Sequence, residues 1–281
     1  MPELPEVETV RQDLQSLTLG QVVLGVEVLL PRTIAYPTLR EFRQSLVGTG
    51  FTGWQRRGKY LLGSLDSGAC LVVHLRMTGQ MLRLKSSLPL SAHTRVRLRL
   101  EGEWDLRFVD QRSFGQMWLV PAGVAPEQVV TTLKTLGPEP FATAFSDSYL
   151  QKALQRSKRS IKAALLDQSL VAGVGNIYAD EALFLSSIHP ATPAFQLSSP
   201  AIVRLREMLL QVLQTGLAQR GTTLRDYRDL NGLNGNYQGQ AWVYGREGDP
   251  CRVCGTRIQR LKLAGRSAHF CPCCQPSPND G

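Results

Sequence analysis

Apolar residues recur at Val7, Val10, Leu14 and Leu17, a helical spacing that predicts an amphipathic helix at the start of the chain. The pattern then changes to period two. Residues 22–30, 59–65 and 70–76 read as strands, and Val96, Leu98 and Leu100 alternate with Arg95, Arg97 and Arg99 before Gly102 turns the chain into Trp104, Leu106 and Phe108. Short strands at hairpin spacing predict a β-sandwich with the first helix packed alongside. The stretch from Gly137 to Asp147 reads as an interdomain linker, and beyond it the period is helical again. Helices are expected over 161–168 and 176–186, separated by a turn over 169–175. A longer helix opens with Ser199 as cap and Pro200 in its first turn, and carries Ile202, Leu205, Leu209, Val212, Leu213 and Leu217 on one face. Residues 221–239 are rich in Gly and Asn and predict a long loop. The expected class is α+β: a sandwich domain over 1–137, a linker over 138–147, a helical domain over 148–240 and a cysteine-rich segment over 241–281.

Composition narrows the partner. Among 281 residues, 32 Lys and Arg oppose 23 Asp and Glu, for a formal charge of +9, which suits a protein that meets polyanions such as nucleic acid. The C-terminal segment repeats the bias, with Arg246, Arg252, Arg257, Arg260, Lys262 and Arg266 against Glu247 and Asp249. No apolar run is long enough to span a bilayer, so membrane functions are set aside and a cytoplasmic, soluble protein is expected.

Candidate chemistry lies at both ends. Removal of Met1 would expose the secondary amine of Pro2, flanked by Glu3 and Glu6. An α-amine titrates near pH ~8, against ~10.4 for lysine, so a usable fraction is unprotonated near neutrality and can attack an electrophilic carbon. The two glutamates would move the protons. The same residues also suit a plain helix start, with Pro2 in the first turn and the glutamates complementing the dipole. At the other end, Cys251 and Cys254 are followed after sixteen residues by Cys271 and Cys274, a spacing expected of a closed, structural four-thiolate Zn²⁺ site. Two disulfides are the alternative, disfavoured in a chain with no signal peptide. Cys273 is an alternative fourth ligand, but its one-residue gap after Cys271 fits the knuckle less well. Between the ends, Gly173 and Gly175 precede Asn176 at a helix start, where free N–H groups suit a phosphate and Asn176 would cap the helix; Lys162 could add charge to the same track.

These motifs together resemble the bacterial formamidopyrimidine-DNA glycosylase family. The similarity runs from Met1–Thr9 through Gly58–Tyr60, His74–Met77, Asp110–Gly115, Leu136–Pro140, Asp167–Glu181, Gly221–Thr223 and Val243–Arg246 to the cysteines. The resemblance implies a helix-two-turn-helix in the helical domain and a zinc-finger β-hairpin after it. It implies a bifunctional glycosylase and AP lyase of base excision repair that everts and removes oxidised purines, 8-oxoguanine and formamidopyrimidines, and then cleaves the strand by β,δ-elimination. Pro2 would be the nucleophile, Glu3 the general acid/base, Glu6 their support, and Lys59 a lysine close to the lesion. Met77, Arg112 and Phe114 would fill the void left by the everted base. His74, Lys162, Asn176, Tyr244 and Arg266 would contact phosphates, and Thr222 and Thr223 would begin the segment that closes over the base. One structural Zn²⁺ and no catalytic cofactor are implied, with damaged double-stranded DNA as partner to a monomer that works at the nucleoid. Three rivals remain: an endonuclease VIII-like enzyme for oxidised pyrimidines, a non-catalytic zinc-finger protein that binds damaged DNA, and a disulfide-stapled secreted protein.

Overall fold

The computed structural model describes residues 1–222 and 237–277 and divides into two compact units, broken between Thr135 and Leu136. Thr223 lies outside the described residues.

The first unit spans 1–135 and takes back the chain at Gln219. Its opening helix α1 (Leu4–Thr18) buries Val7, Val10 and Leu14 completely, as the apolar stripe predicts. Glu3 is the N-cap, and the proline of the first turn is Pro5. Pro2 therefore precedes the helix, and its reading as a helix-start residue does not hold. Two sheets follow. One orders β1 (Val23–Val28), β7 (Thr94–Leu100), β8 (Trp104–Asp110) and β6 (Gly79–Lys85), all antiparallel neighbours. The other orders β2 (Ile34–Tyr36), β9 (Gln116–Val120), β5 (Cys70–His74), β4 (Tyr60–Leu65) and β3 (Phe51–Arg57). Val96, Leu98, Leu106 and Phe108 of the first meet Leu61, Leu71, Val73 and Met117 of the second in one apolar core, which α1 and α2 (Leu39–Leu46) close with Leu14 and Phe42. The arginines of β7 take the other face, where Arg97 and the buried Arg107 share the Asp105 carboxylate. Two single helical turns, α3 (Pro126–Val129) and α4 (Thr131–Lys134), end the unit.

The second unit begins at Leu136 and is helical: α5 (Asp147–Gln155), α6 (Ile161–Leu165), α7 (Asn176–Leu185) and α8 (Ser199–Ala218), followed by the hairpin β10 (Gln259–Leu263) and β11 (Arg266–Phe270). Residues 138–147, expected as a linker, are part of this unit. Phe145 is fully buried, and Pro138 accepts a hydrogen bond from Ala172 N–H at 3.0 Å, so the segment braces the turn between α6 and α7. Helix α6 stops earlier than expected because the Gln168 side chain captures that turn, accepting from Gly173 N–H at 3.0 Å and donating to Val174 O at 2.8 Å. The cap of α8 is Ser198, whose carbonyl and hydroxyl accept from Ile202 and Ala201. No described helix is long and apolar enough to cross a membrane.

Candidate active site and nucleic-acid interface

In the first unit the candidate chemistry collects around the start of α1. Pro2, Glu3 and Glu6 are all buried. Glu6, one turn into the helix, accepts the Glu3 N–H on Oε2 at 2.8 Å and the Thr222 N–H on Oε1 at 2.7 Å. One carboxylate thus fixes the residue after the proline and the start of the segment leading into 223. One face of α1 supplies a second pin, because Asp13 takes Arg220 Nη2 on both oxygens, at 2.7 and 2.9 Å. Sequence reasoning missed this pair: 207 residues separate its members, and nothing local marks either as a partner.

Lys59 sits at the turn between β3 and β4 and is 6% exposed. His74, at the end of β5, is also buried. Its Nδ1 accepts the Arg76 N–H at 2.9 Å, so the tautomer carries its proton on Nε2. Burial, reinforced by Arg76 and Lys59, pushes its pKa down to about 3. His74 is therefore a neutral donor at physiological pH. Met77 is half-buried in the turn after β5, whereas Arg112 and Phe114 are exposed in the turn after β8. Arg112 lies over the Phe114 ring, Cζ 5.0 Å from the centroid, and Phe114 is 53% exposed. An exposed aromatic in a turn is the kind of apolar side chain that can enter a base stack.

In the second unit two consecutive acids of α7 organise the rest. Asp180 pairs with Lys162 Nζ and, on its other oxygen, accepts His269 N–H at 3.0 Å from β11. Glu181 accepts three backbone N–H groups, from Trp242 at 2.7 Å and from Val243 and Tyr244 at 2.9 Å. Burial pushes the Glu181 carboxyl up, against the pull of those three donors. The pair pins to one helix the segment before the first two cysteines and the hairpin that separates them from the last two. Lys162 is consequently no phosphate ligand: it is wholly buried, bound to Asp180 and to Asn176 O at 3.0 Å. A lysine this deep retains its charge only with such a partner. Asn176 does not cap α7 either. Gly175 holds that position, and the Asn176 amide reaches Ser267 Oγ of β11 at 3.3 Å. Tyr244 is half-buried and packs edge-on against His269, with centroids 4.8 Å apart. Arg266 is exposed directly after the two-residue turn Ala264–Gly265, whose positive φ angles of 45° and 77° suit a tight hairpin.

Cys251, Cys254, Cys271 and Cys274 place all four Sγ atoms within 4.8 Å of one another. Their close approaches are 3.4 Å for Cys254–Cys271, 3.5 Å for Cys254–Cys274 and 3.9 Å for Cys251–Cys274. Sulfurs about 2.3 Å from a tetrahedral zinc stand roughly 3.8 Å apart, so the donor set fits one Zn²⁺ with no open position. Cys273 is exposed and outside the cluster, and no cysteine is in a disulfide. The knuckles pack on α7 through Phe184, Val243 and Ile258, and buried Gln275 ties Cys271 N–H to Ile188 O.

Comparison with known proteins matches three family models along the chain. Residues 1–117 match the formamidopyrimidine-DNA glycosylase N-terminal domain, 136–228 the H2TH domain of that glycosylase, and 248–276 the zinc finger found in FPG and IleRS. A formamidopyrimidine-DNA glycosylase of Synechococcus sp. is 58% identical over 98% of this chain and 99% of its own length. One from Acaryochloris marina is 56% identical with the same coverage. Among solved structures, Lactococcus lactis Fpg in complex with DNA containing an abasic site superposes with a TM-score of 0.91 at 36% identity, covering 98% of this chain and all of that one. The wild-type Lactococcus lactis protein with DNA containing an oxidised pyrimidine gives 0.90 at 35%, over the same shares.

Proposed function

The chain belongs to the formamidopyrimidine-DNA glycosylase family, and we propose that within it this protein is a bifunctional glycosylase and AP lyase acting on oxidised purines in duplex DNA, with Pro2 as nucleophile. The observation that carries this reading is the placement of Pro2: outside α1, next to a cap residue whose backbone is held by Glu6. Loss of Met1 frees a secondary amine there, whereas a retained Met1 would leave a tertiary amide with no nucleophilic lone pair.

The amine nitrogen attacks C1′ of the everted nucleoside, the N-glycosidic bond breaks, and the base leaves with a proton. Glu3 is the acid/base group for that transfer and for opening the sugar ring, which yields an iminium between Pro2 and C1′. The iminium acidifies the C2′ proton, so elimination breaks first the 3′ and then the 5′ phosphate ester bond. Neither step needs a metal or cofactor, and the zinc serves the finger. Met77, Arg112 and Phe114 offset the cost of eversion, a few kcal/mol of stacking and pairing. His74, Asn176, Tyr244 and Arg266 serve the phosphate backbone, and Lys59 the lesion side. We read the protein as a monomer that works at the nucleoid, and Thr222 and Thr223 as the start of the base-covering segment.

The test is strand scission on duplexes carrying 8-oxoguanine opposite cytosine or an oxidised pyrimidine. Preferred cleavage at 8-oxoguanine, lost in Glu3→Gln with DNA binding retained, supports the reading. Preference for the oxidised pyrimidine moves the protein to the endonuclease VIII-like reading, and tight binding without cleavage of either duplex leaves a damage-binding protein.

A further inference from the structure

The side chains expected to fill the gap left by an everted base stand on two separate turns. Met77 is in the turn between β5 and β6, and Arg112 and Phe114 are in the turn between β8 and β9. Both turns contain a non-glycine residue in the left-handed region, Arg76 with φ 54° and Ser113 with φ 57°. Such residues persist where their surroundings over-determine them.

Here the surroundings converge on one carboxylate. Asp110, the last residue of β8, is fully buried and lies opposite Gly79 in the ladder with β6. Its Oδ1 accepts the Thr78 hydroxyl, from the first turn, and the Arg112 N–H at 3.2 Å, from the second. Its Oδ2 accepts the Gly115 N–H at 2.7 Å. Thr78 Oγ1 in turn accepts the same Arg112 N–H at 3.0 Å, so the two turns are joined twice. Two close approaches complete the junction: a Cβ at 79 would run into the Leu75 carbonyl, and one at 115 into the Phe108 ring. Sequence places Asp110 within a motif but gives it no task, and nothing in the sequence singles out Thr78.

We propose that Asp110, acting through Thr78, is a positioning residue that joins the Met77 turn and the Arg112–Phe114 turn into one preformed wedge. The inference rests on the eversion chemistry proposed above. A wedge assembled in advance spends no ordering entropy when it enters the duplex, whereas uncoupled turns would have to be ordered at that moment. The consequence falls on base eversion and leaves the amine chemistry at Pro2 alone.

The experiment compares single-turnover excision of 8-oxoguanine with cleavage at a preformed abasic site, using the wild type, Thr78→Val, Thr78→Ser and Asp110→Asn, with 2-aminopurine beside the lesion to report entry into the stack. Thr78→Val keeps the volume and removes the bridge, so it decides the question even where Asp110→Asn folds poorly. Excision should fall about tenfold or more, abasic cleavage should stay within about threefold, the 2-aminopurine step should slow with excision, and Thr78→Ser should restore both. An equal loss on both substrates, or no loss on either, overturns the wedge. Absence of excision in the wild type would instead overturn the functional reading.

Discussion

Glu6 and Thr222 are 216 residues apart in sequence, and the Glu6 carboxylate accepts the Thr222 N–H at 2.7 Å while its other oxygen holds Glu3. The same short helix that starts beside the candidate nucleophile thus secures the point where the chain returns to the first unit. Glutamine can accept at only one of its two positions, so Glu6→Gln leaves one buried N–H facing an amide NH₂. That costs about 1–3 kcal/mol, and the melting temperature should fall by several degrees. Excision should drop by about tenfold or more, because both segments lose their common reference. Calorimetry with single-turnover kinetics checks both expectations.

Lys162 and Arg266 carry the same charge and should behave oppositely. Arg266 is exposed on the hairpin, so Arg266→Ala should reduce the slope of log affinity against log salt by about one. Lys162→Met should leave that slope unchanged and destabilise the protein by roughly 3–5 kcal/mol, since it strands the buried Asp180. Duplex binding titrated over a salt series, below the unfolding midpoint of each variant, separates the two effects.

The cysteine cluster predicts one zinc per chain in the wild type and in Cys273→Ser, and none tightly held in Cys254→Ser. Chelation or Cys254→Ser should release the knuckles from α7 and weaken duplex binding, because metal binding supplies the folding free energy of so small a segment. Metal analysis and binding isotherms on the three proteins check this.

His74 gives the first unit a pH dependence of defined sign. Its folded-state pKa, about 3, lies below the unfolded value near 6.5, so the unfolded chain binds the extra proton between these limits. Its contribution is fully present above pH ~6.5 and is lost as pH falls toward 3, by up to a few kcal/mol. His74→Asn keeps an acceptor for the Arg76 N–H but cannot titrate. Urea midpoints between pH 7 and about 4 should therefore fall less steeply in the variant than in the wild type.

Local patterning reaches the elements that have one wet face. The stripe of α1 and the alternation in β7 are readable because core and solvent divide their residues cleanly. Strand β9 is not, since Met117, Trp118, Leu119 and Val120 are all buried and the period vanishes. Strand β3 has a register irregularity between Phe51 and Gly53, which puts Phe51 and Trp54 on the core three positions apart. The metal ligands were legible because spacing alone defines a knuckle. The roles of Asp110, Asp180 and Glu181 were not, because a carboxylate that gathers backbone N–H groups from distant segments looks, in sequence, like any solvated acid. Lys162 misleads for the same reason: its charge points to DNA, and its partner lies eighteen residues away.

The most direct test of a nucleophilic Pro2 is borohydride trapping on a duplex with 8-oxoguanine opposite cytosine, followed by peptide mass mapping of the adduct. A covalent adduct on the amine of Pro2, in protein lacking Met1, is the expected result. An adduct on Lys59 or another lysine, or strand cleavage without any adduct, would contradict the amine mechanism at Pro2.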